Sequence, residues 1–402
     1  MKPFPLFLLL LFYGHAPQAQ SVISVTAPPM GWMSWNSLAE QVNERDLKEM
    51  ADVMVSRGMV AAGYNYIFID DGWQGGRDNR NNLIPDPVKF PSGIRSLADY
   101  MHQRGIRLGI YSDAAPLTCA GYTASLGFEE QDARTFASWQ IDYLKYDYCN
   151  APPDQETARV RYKAMADALQ KTGRQILFAV CEWGERQPWL WAAAAGGHLW
   201  RTTHDIRDKW KRRPEEKWGL GILDILDANA QLSVYAGPGR WNDADMLVAG
   251  LYGKKGPSGD GGGTGCTDIE YQSQFSLWSV MNAPLYASND LRLMNDKTLD
   301  ILLNREVIAV QQDPLAKQGE RIIADSVWNV FLKPLQNGDY CLAILNRSEQ
   351  PERLVFDFDQ WGLSGKYLIR DLWLHRTTGS GKNWTGDVMP HETRLLRLTQ
   401  DR

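Results

Sequence analysis

The sequence lacks the charge pattern and the metal-binding pattern that mark several common classes of protein. The net charge is −5 and no block of Lys or Arg stands out. Nothing therefore indicates binding to nucleic acid or to an anionic membrane surface. The six His residues form no cluster, and the Cys residues show no CxxC spacing. We therefore expect neither a metal site nor a cofactor.

Long hydrophobic runs are also missing. The apolar run at residues 6–13 is too short to span a bilayer. Lys2 precedes this run, and small or polar residues around Ala16 and Ala19 follow it. This order is typical of a secretory signal peptide. We predict that residues 1–20 form such a peptide, that the protein is exported to the periplasm or secreted, and that it does not reside in a membrane.

Cysteine is scarce, with five residues in the whole chain. Export permits disulfide bonds. An odd number nevertheless means that at least one thiol is free or is paired with another chain. The five residues are Cys119, Cys149, Cys181, Cys266 and Cys341.

What the chain does contain, from residue 21 to residue 313, is one repeated pattern: a short apolar run followed by a helical periodicity. Strands that alternate with helices predict a parallel sheet with right-handed crossovers. Eight such units fit a (β/α)8 TIM barrel better than an open sheet. A Gly-rich stretch at residues 253–265 predicts a flexible loop. The eight strand-like runs are residues 30–36, 64–69, 107–113, 143–149, 176–183, 199–205, 241–246 and 283–290.

The pattern changes after residue 313. Strand-like runs separated by polar turns replace the alternation of strands and helices, and they predict an antiparallel β-sandwich domain over residues 314–402. Two N-glycosylation sequons, at Asn346 and Asn383, fall in this region. The strand-like runs are residues 327–332, 340–345, 354–358, 367–373 and 392–398.

Acidic residues recur where the predicted barrel strands end. The carboxyl ends of barrel strands meet at one rim, where TIM-barrel enzymes have their active sites. A rim of carboxylates with aromatic residues nearby and no metal cluster indicates glycoside hydrolysis, which needs one ionised and one protonated carboxyl group. The acids are Asp70, Asp71, Asp113, Asp147, Glu182, Asp205, Asp243 and Asp245.

The nucleophile of that reaction is best matched by Asp147. Lys145 precedes it by two residues, so both side chains point to the same side of a strand. We expect the ammonium group of Lys145 to keep Asp147 ionised, as a nucleophile requires. A purely structural ion pair is the alternative. Spacing alone leaves the acid open among Asp205, Asp243 and Asp245.

The motifs, taken together and in order, resemble those of a retaining α-galactosidase of glycoside hydrolase family 27. The resemblance extends over about residues 28–320 and implies a terminal α-galactoside as substrate, cleaved by double displacement. A carboxyl separation of about 5–6 Å is expected for this retaining class. The matching stretches are residues 30–36, 69–73, 109–113, 143–150, 181–184, 200–205, 241–246 and 311–315.

The resemblance also implies roles for individual residues. It makes Asp147 the nucleophile and Asp205 the acid/base, and it implies a disulfide between Cys119 and Cys149. The implied substrate-binding residues are Trp35, Asp70, Asp71, Tyr111, Lys145, Cys181, Trp183, Arg201, Asp243 and Met246.

Comparison with the family favours galactose over related sugars. Cys181 and the bulky Trp183 leave little room for a 2-acetamido group, and the tandem Asp70-Asp71 favours a sugar with a C6 hydroxymethyl group. The alternatives are another activity of the family (α-N-acetylgalactosaminidase, β-L-arabinopyranosidase or a dextran-acting enzyme) or an inactive carbohydrate-binding protein. The sequence leaves a homo-oligomer open.

Overall fold

The computed structural model describes residues 26–217, 219–257 and 262–401. The predicted signal peptide lies outside this part of the chain, and so does the middle of the Gly-rich stretch. None of the helices in the described residues has the length and the apolar character that crossing a membrane requires.

Helices separate most of the first ten strands, as the periodicity predicts, although in the described residues the connection over residues 182–198 contains only a short 3₁₀ helix, Pro188–Leu190. The strands are β1 (Met30–Met33), β2 (Tyr66–Phe68), β3 (Gln74–Arg77), β4 (Leu83–Pro85), β5 (Arg107–Asp113), β6 (Tyr143–Asp147), β7 (Leu177–Cys181), β8 (Leu199–Arg201), β9 (Trp241–Asp243) and β10 (Leu285–Ala287). The helices are α1 (Trp35–Leu38), α2 (Glu44–Ser56), α3 (Met59–Ala62), α4 (Gly93–His102), α5 (Glu129–Ser138), α6 (Gln155–Lys171), α7 (Ile222–Asn229), α8 (Asp268–Val280), α9 (Asp296–Leu302) and α10 (Arg305–Gln311).

Eight of these strands form one parallel sheet, in the order β10-β1-β2-β5-β6-β7-β8-β9. Strands β3 and β4 form a separate hairpin. A parallel bridge between Leu247 and Ala287 joins the two ends of the sheet just beyond β9, and the Leu247 amide donates to the Tyr286 carbonyl at 2.8 Å. Each of the eight runs predicted from the sequence contains one barrel strand, so the predicted (β/α)8 barrel is confirmed.

Aromatic rings fill the barrel beneath its carboxyl-terminal rim. The Phe68 ring packs edge-on against Tyr143 at 4.6 Å and against Tyr286 at 4.7 Å between centroids. Glycine on the neighbouring strands makes room for it: a Cβ on Gly109 would lie 2.5 Å from the Phe68 ring, and a Cβ on Gly31 would lie 2.8 Å from it. Side chains two residues apart on a strand share a face. This aromatic layer is therefore the floor beneath Asp70 and Lys145.

A second domain of eight antiparallel strands follows the barrel. Six of them form a sheet in the order β11-β12-β13-β18-β15-β16, and β14 pairs with β17. The buried side chains between them, among them Leu342, Ile344 and Phe356, form a core of their own. The strands are β11 (Glu320–Ala324), β12 (Trp328–Pro334), β13 (Tyr340–Asn346), β14 (Glu352–Asp357), β15 (Tyr367–Asp371), β16 (Arg376–Gly381), β17 (Asn383–Val388) and β18 (Thr393–Gln400).

Five of these eight strands match the runs predicted from the sequence, and three were missed. The sequences of β16 and β17, RTTGSG and NWTGDV, are polar, rich in Gly and mostly exposed. They lack the apolar alternation that identifies a half-buried strand. Strand β11 is short and only partly buried. Pairing with neighbouring strands, rather than local propensity, determines these elements.

The two sequons differ in accessibility. The Asn346 side chain is fully buried, and its amide group donates to the carbonyl oxygens of Gln350 and Val388. Both of its N–H bonds are therefore used inside the folded domain. Asn383 is exposed. The folded chain thus offers only the second of the two predicted sequons for modification.

Candidate active site

Residues from seven barrel strands or the loops after them converge on one cavity at the carboxyl-terminal rim. Its volume is about 430 Å³, within the usual range for small-molecule sites. It is lined by Trp35, Asn36, Glu40, Asp70, Asp71, Tyr111, Cys119, Ala120, Lys145, Asp147, Trp183, Arg201, Asp205, Ile206, Arg207 and Met246.

The cavity brings together ten of the twelve catalytic and substrate-binding residues that the sequence predicts. The other two, Cys181 and Asp243, do not line it. They lie at a void of about 10 Å³ that they share with Lys145 and Arg201. The Cys181 sulfur is 4.0 Å from an Arg201 nitrogen. Cys181 and Asp243 therefore pack beside Lys145 and Arg201, which line the cavity.

Asp147 ends strand β6 and is 4% exposed. The Tyr111 hydroxyl donates to Asp147 Oδ2 at 3.1 Å, and the Tyr148 amide donates to Oδ1 at 3.0 Å. These two donors orient the carboxylate from different directions. Burial raises the pKa of Asp147 to about 7, against the opposing charge of Lys145 and with the help of the negative charge of Asp205.

The expected ion pair between Lys145 and Asp147 is wrong, because Lys145 pairs with a different carboxylate. Lys145 Nζ donates to Asp70 Oδ2 at 2.9 Å, past the intervening strand β5 to the end of β2. Its charge still lowers the pKa of Asp147, but the effect of burial is larger, so that pKa lies above its usual value. The spacing in the sequence places the two side chains on one face of a strand. It does not reveal that a carboxylate from a different strand, that of Asp70, competes for the ammonium group.

Asp205 stands in a different electrostatic environment. Its side chain is 51% exposed at the cavity, and Arg201 donates to its Oδ1 at 3.0 Å. Desolvation acts to raise the pKa of Asp205, but the charges of Arg201 and Lys145 outweigh it and hold this pKa below its usual value. Arg201 also pairs with Asp245 at 2.9 Å. Asp205 is thus the accessible member of the acids that contact Arg201, and Asp245 is the buried one.

Asp70 and Asp71 follow strand β2 and occupy the side of the cavity that Lys145 faces. The Ala120 amide donates to Asp71 Oδ2 at 2.9 Å. Burial raises the pKa of Asp71 to about 6 despite this hydrogen bond. Two carboxylates held by an ammonium group and by backbone amides form a fixed array of acceptors, which suits the hydroxyl groups of a sugar.

A disulfide between Cys119 and Cys149 borders the cavity, as the resemblance implied. Cys149 lies two residues beyond the end of strand β6, and Cys119 precedes the amide that binds Asp71. The Tyr111 hydroxyl is 3.2 Å from the Cys119 sulfur. The bridge therefore ties the loop after β5 to the end of β6. The remaining cysteines, Cys181, Cys266 and Cys341, are unpaired and buried.

Four of the eight acids that the sequence placed at the rim do not line the cavity: Asp113, Glu182, Asp243 and Asp245. The Glu182 side chain is fully buried and accepts hydrogen bonds from the Arg186 amide and guanidinium groups. Asp113 is also fully buried, beside Asp147.

His204 stacks on Trp183 at 5.8 Å between ring centroids and is 3.1 Å from Glu185. These contacts give it a supporting position beside the cavity residue Trp183.

Several cavity residues carry no signal that sequence reasoning used. Asn36, Glu40, Ile206 and Arg207 line the cavity but lie outside the predicted site. Their neighbours Trp35 and Asp205 were predicted, so adjacency in sequence was the available clue. The Tyr122 hydroxyl, from a distant loop, donates to Glu40 at 3.1 Å, and no local pattern predicts that contact.

A wider cavity of about 1000 Å³ lies at the opposite end of the barrel, where Arg107, Asp142 and Arg174 line it. Arg174 donates to Asp142 at 2.7 Å. The amino-terminal ends of barrel strands serve stability rather than chemistry in proteins of this fold. The acids that could act on a sugar are grouped at the other end.

Sequence profiles of known families match both domains. The profile described as alpha galactosidase A matches residues 27–313, and the profile of the alpha galactosidase C-terminal beta sandwich domain matches residues 325–398. The chain belongs to the α-galactosidases of glycoside hydrolase family 27. The family resemblance inferred from the motifs is therefore confirmed, and so is the β-sandwich nature of the second domain.

Individual members of the α-galactosidase family resemble the chain over nearly its whole length. Alpha-galactosidase A from Cellvibrio japonicus is 43% identical over 364 residues, which cover 90% of this chain and 86% of that protein. The crystal structure of α-galactosidase I from Mortierella vinacea aligns with a TM-score of 0.86 at 34% identity and covers 94% of this chain and 98% of its own. The α-galactosidase from Saccharomyces cerevisiae with raffinose aligns with a TM-score of 0.85 at 27% identity and the same two coverages.

Proposed function

We propose that this protein is a retaining exo-α-galactosidase in which Asp147 is the nucleophile and Asp205 is the acid/base. It hydrolyses terminal α-D-galactosyl residues from oligosaccharides or polysaccharides. The observation that carries the proposal is that Asp147 and Asp205, from separate strands, line one cavity together with the acceptor array of Asp70 and Asp71. Membership of the α-galactosidase family supports the substrate class.

In the first displacement, a carboxylate oxygen of Asp147 attacks the anomeric carbon, and the bond to the leaving oxygen breaks. Asp205 gives its proton to that oxygen, so the leaving group departs as an alcohol. The product on the enzyme is a galactosyl ester of Asp147. Tyr111 and Tyr148 hold the carboxylate from both of its oxygens, which reduces the reorganisation needed for attack.

In the second displacement, water attacks the same anomeric carbon from the face that the leaving group vacated. Asp205, now ionised, takes a proton from this water. The ester bond to Asp147 breaks, and galactose leaves with its original anomeric configuration. Arg201, which contacts Asp205 at 3.0 Å, stabilises the ionised form that this step requires. A carboxyl separation of about 5–6 Å stays a prediction of this assignment.

The substrate-binding roles in this proposal are those that the family resemblance implies, and the contacts in the cavity support them. Asp70, held by Lys145, and Asp71, held by the Ala120 amide, accept hydrogen bonds from the galactose 4- and 6-hydroxyl groups. Trp35, Trp183 and Met246 provide apolar walls. Cys181 and Asp243 act from beneath the cavity, through Arg201 and Lys145.

A panel of aryl glycosides tests the activity. We expect aryl α-D-galactoside to be hydrolysed at least about 100-fold faster than the α-N-acetylgalactosaminide, because comparison with the family implies that the bulky Trp183 in the cavity wall excludes the larger 2-substituent. We expect aryl β-L-arabinopyranoside to be slower as well, because it lacks the C6 hydroxymethyl group that Asp70 and Asp71 would bind. Faster turnover of either analogue would assign a different activity of the family. Absence of turnover on every member of the panel would favour an inactive carbohydrate-binding protein.

The coupled ionisation of Asp147 and Asp205 predicts the pH dependence of kcat/KM. The reaction needs one proton on the pair, and the reactive form carries it on Asp205 while Asp147 is ionised. The pKa of Asp205 is lowered and that of Asp147 is raised to about 7, so the pair holds one proton from below the usual range of an aspartate up to about pH 7. We expect a bell-shaped profile whose alkaline limb lies near pH 7, where the last proton leaves and no acid remains. An unchanged kcat/KM from pH 6 to pH 9 on an aryl α-galactoside would contradict this assignment.

Export is part of the proposal. The sequence of residues 1–20 indicates a signal peptide, and the disulfide between Cys119 and Cys149 suits an oxidising compartment. We expect fractionation of the producing cell to place the activity outside the cytoplasm, and amino-terminal sequencing of the exported protein to begin near residue 21. Recovery of the full-length chain in the cytoplasm would contradict export.

A further inference from the structure

One buried acid beside the cavity takes no part in the mechanism above. Asp113 ends strand β5, and β5 pairs with β6 in a register that sets Asp113 directly beside Asp147. The Asp113 side chain has no solvent exposure. A carboxyl group buried next to a nucleophile affects the charge that the nucleophile can carry.

The two oxygens of Asp113 have different surroundings. Oδ2 accepts a hydrogen bond from the Cys149 amide at 2.9 Å and is 4.0 Å from the Cys119 sulfur. Oδ1 is buried and has no hydrogen-bond partner within the described residues. Carboxylate oxygens of Asp113 and Asp147 and the two disulfide sulfurs all lie within 4.8 Å of one another. Because both sulfurs are consumed by the disulfide, this group offers no pair of thiolates for a metal.

The charged and titratable groups around Asp113 do not compensate a negative charge. In the part of the chain that the structure describes, no basic side chain forms an ion pair with this carboxyl group. The nearest strand presents another acid, and helix α6 presents a guanidinium group whose contact goes to the Ala114 carbonyl at 2.7 Å. The groups facing Asp113 are Tyr111 from β5, Asp147 from β6, Asp71 after β2, and Tyr146, Tyr162 and Arg161 on the outer side.

We propose that Asp113 is a neutral carboxylic acid that positions the nucleophile: its Oδ2 holds the Cys149 amide, its Oδ1 carries a proton, and it therefore adds no second negative charge beside Asp147. The proposal rests on the proposed function, in which Asp147 is the nucleophile.

Two physical reasons support the neutral form. An ionised carboxylate with one unpartnered buried oxygen is far more costly than a neutral hydroxyl in the same place. Two ionised carboxylates this close also repel each other strongly. Burial, followed by the charge of Asp147, raises the pKa of Asp113 to about 9. Asp113 accordingly stays protonated while the proton of the Asp147 and Asp205 pair is gained and lost.

The Cys149 contact explains what the neutral acid does for catalysis. The Tyr148 amide donates to Asp147, and the next amide along the chain, that of Cys149, donates to Asp113. The amides of Tyr148 and Cys149 thus bind carboxyl groups at the ends of two neighbouring strands, β6 and β5. These two hydrogen bonds fix the backbone directly after the nucleophile. The disulfide at Cys149 holds the same point from the other side. Positioning within about 1 Å is worth up to about 100-fold in rate.

The test compares Asp113→Asn with wild type. The carboxamide is neutral, has the same shape and can still accept the Cys149 hydrogen bond. We expect kcat/KM on an aryl α-galactoside within about threefold of wild type, and both limbs of its pH profile within about 0.3 unit, because no charge has been removed. If Asp113 were ionised in wild type, its replacement would move the limbs to lower pH by about one unit or more. A shift of that size would overturn the proposal.

Asp113→Leu provides the matched second variant, since it is also neutral but cannot accept the amide hydrogen bond. We expect its kcat to fall at least about 10-fold below that of Asp113→Asn, with a smaller change in KM. Equal kcat values for the two variants would refute the positioning role. If the Leu variant does not fold, infrared spectroscopy decides. A carbonyl band of an un-ionised carboxyl group should persist in wild type at pH 8 and be missing in Asp113→Asn, and its absence from wild type would refute the neutral acid.

These results are separable from failure of the proposed function. Loss of the nucleophile assignment would appear as turnover retained in Asp147→Ala, whatever the behaviour of the Asp113 variants. A shift of the pH limbs in Asp113→Asn, with Asp147→Ala inactive, would remove only the inference about Asp113.

Discussion

The Asp147→Ala enzyme loses turnover of α-galactosides by on the order of 10⁴-fold or more, because no other side chain can form the galactosyl ester. Asp147 is buried where it lines the cavity. Tyr111 and Tyr148 donate hydrogen bonds to its two oxygens and hold the carboxylate in place. Steady-state kinetics on an aryl α-galactoside measure the loss. Asp99→Ala serves as the control, because Asp99 is exposed on helix α4 and pairs with Arg95 far from the rim. It should behave as wild type.

Rescue by azide provides a second test of Asp147 as the nucleophile. In Asp147→Ala the space left by the carboxylate admits azide, which attacks the substrate directly from the nucleophile's face. The expected product is therefore the β-galactosyl azide, with inverted configuration. Formation of the α-galactosyl azide, or wild-type rates without azide, would show that Asp147 is not the nucleophile.

The Asp205→Ala enzyme shows a loss that depends on the leaving group. A general acid contributes about 10²–10⁴-fold where the leaving oxygen needs a proton, so we expect cleavage of an oligosaccharide to fall by about 10³-fold. The first displacement on a substrate with an activated phenol as leaving group should fall by less than about 10-fold, because that oxygen leaves without a proton. Pre-steady-state kinetics separate this step from the slowed hydrolysis of the ester.

Asp245→Ala provides the control for the choice among the acids that the sequence left open. Asp245 also contacts Arg201 but is buried, and its Oδ1 accepts the Met246 amide. Its loss should disturb Arg201 and slow all substrates by a similar factor. In Asp205→Ala, azide should attack the galactosyl ester and give the α-galactosyl azide, with retained configuration. The opposite pattern between the two variants would move the acid/base role to Asp245.

The barrel was predictable because its signal is local and repeated. Eight apolar runs and the helices between them are each visible within a short window, and the carboxylates at the strand ends follow from the topology of parallel strands. The second domain was harder to predict from the sequence. Strands β16 and β17 are polar and exposed, so only pairing with distant strands reveals them. Local pattern carries little information about such elements.

The site was predictable in its membership but not in its pairing. Lys145 lies two residues from Asp147 in sequence, yet it donates to Asp70, seventy-five residues away. Cys181 and Asp243 end strands whose following loops supply cavity residues, but their own side chains line a separate small void. Which carboxylate a buried cation contacts depends on the distance across the barrel, and a linear sequence does not contain that distance.

The electrostatics also come from the fold rather than from the motifs. Asp147 at the end of β6 and Asp205 in the loop after β8 differ because the first is buried and the second opens to the cavity beside Arg201. Burial raises the pKa of Asp147, whereas Arg201 and Lys145 outweigh desolvation and lower that of Asp205. The pair therefore keeps a single proton over a wide pH range. These shifts favour Asp147 as the place of this proton in the free enzyme, and the reaction proceeds from the form in which the proton lies on Asp205.

Covalent trapping of the intermediate tests the central claim most directly. A fluorinated galactosyl fluoride, which forms the glycosyl ester faster than water can hydrolyse it, should add one sugar mass to the intact protein. Peptide mass spectrometry should then place that mass on Asp147. Attachment to any other residue, or full inactivation without a covalent adduct, would contradict the account.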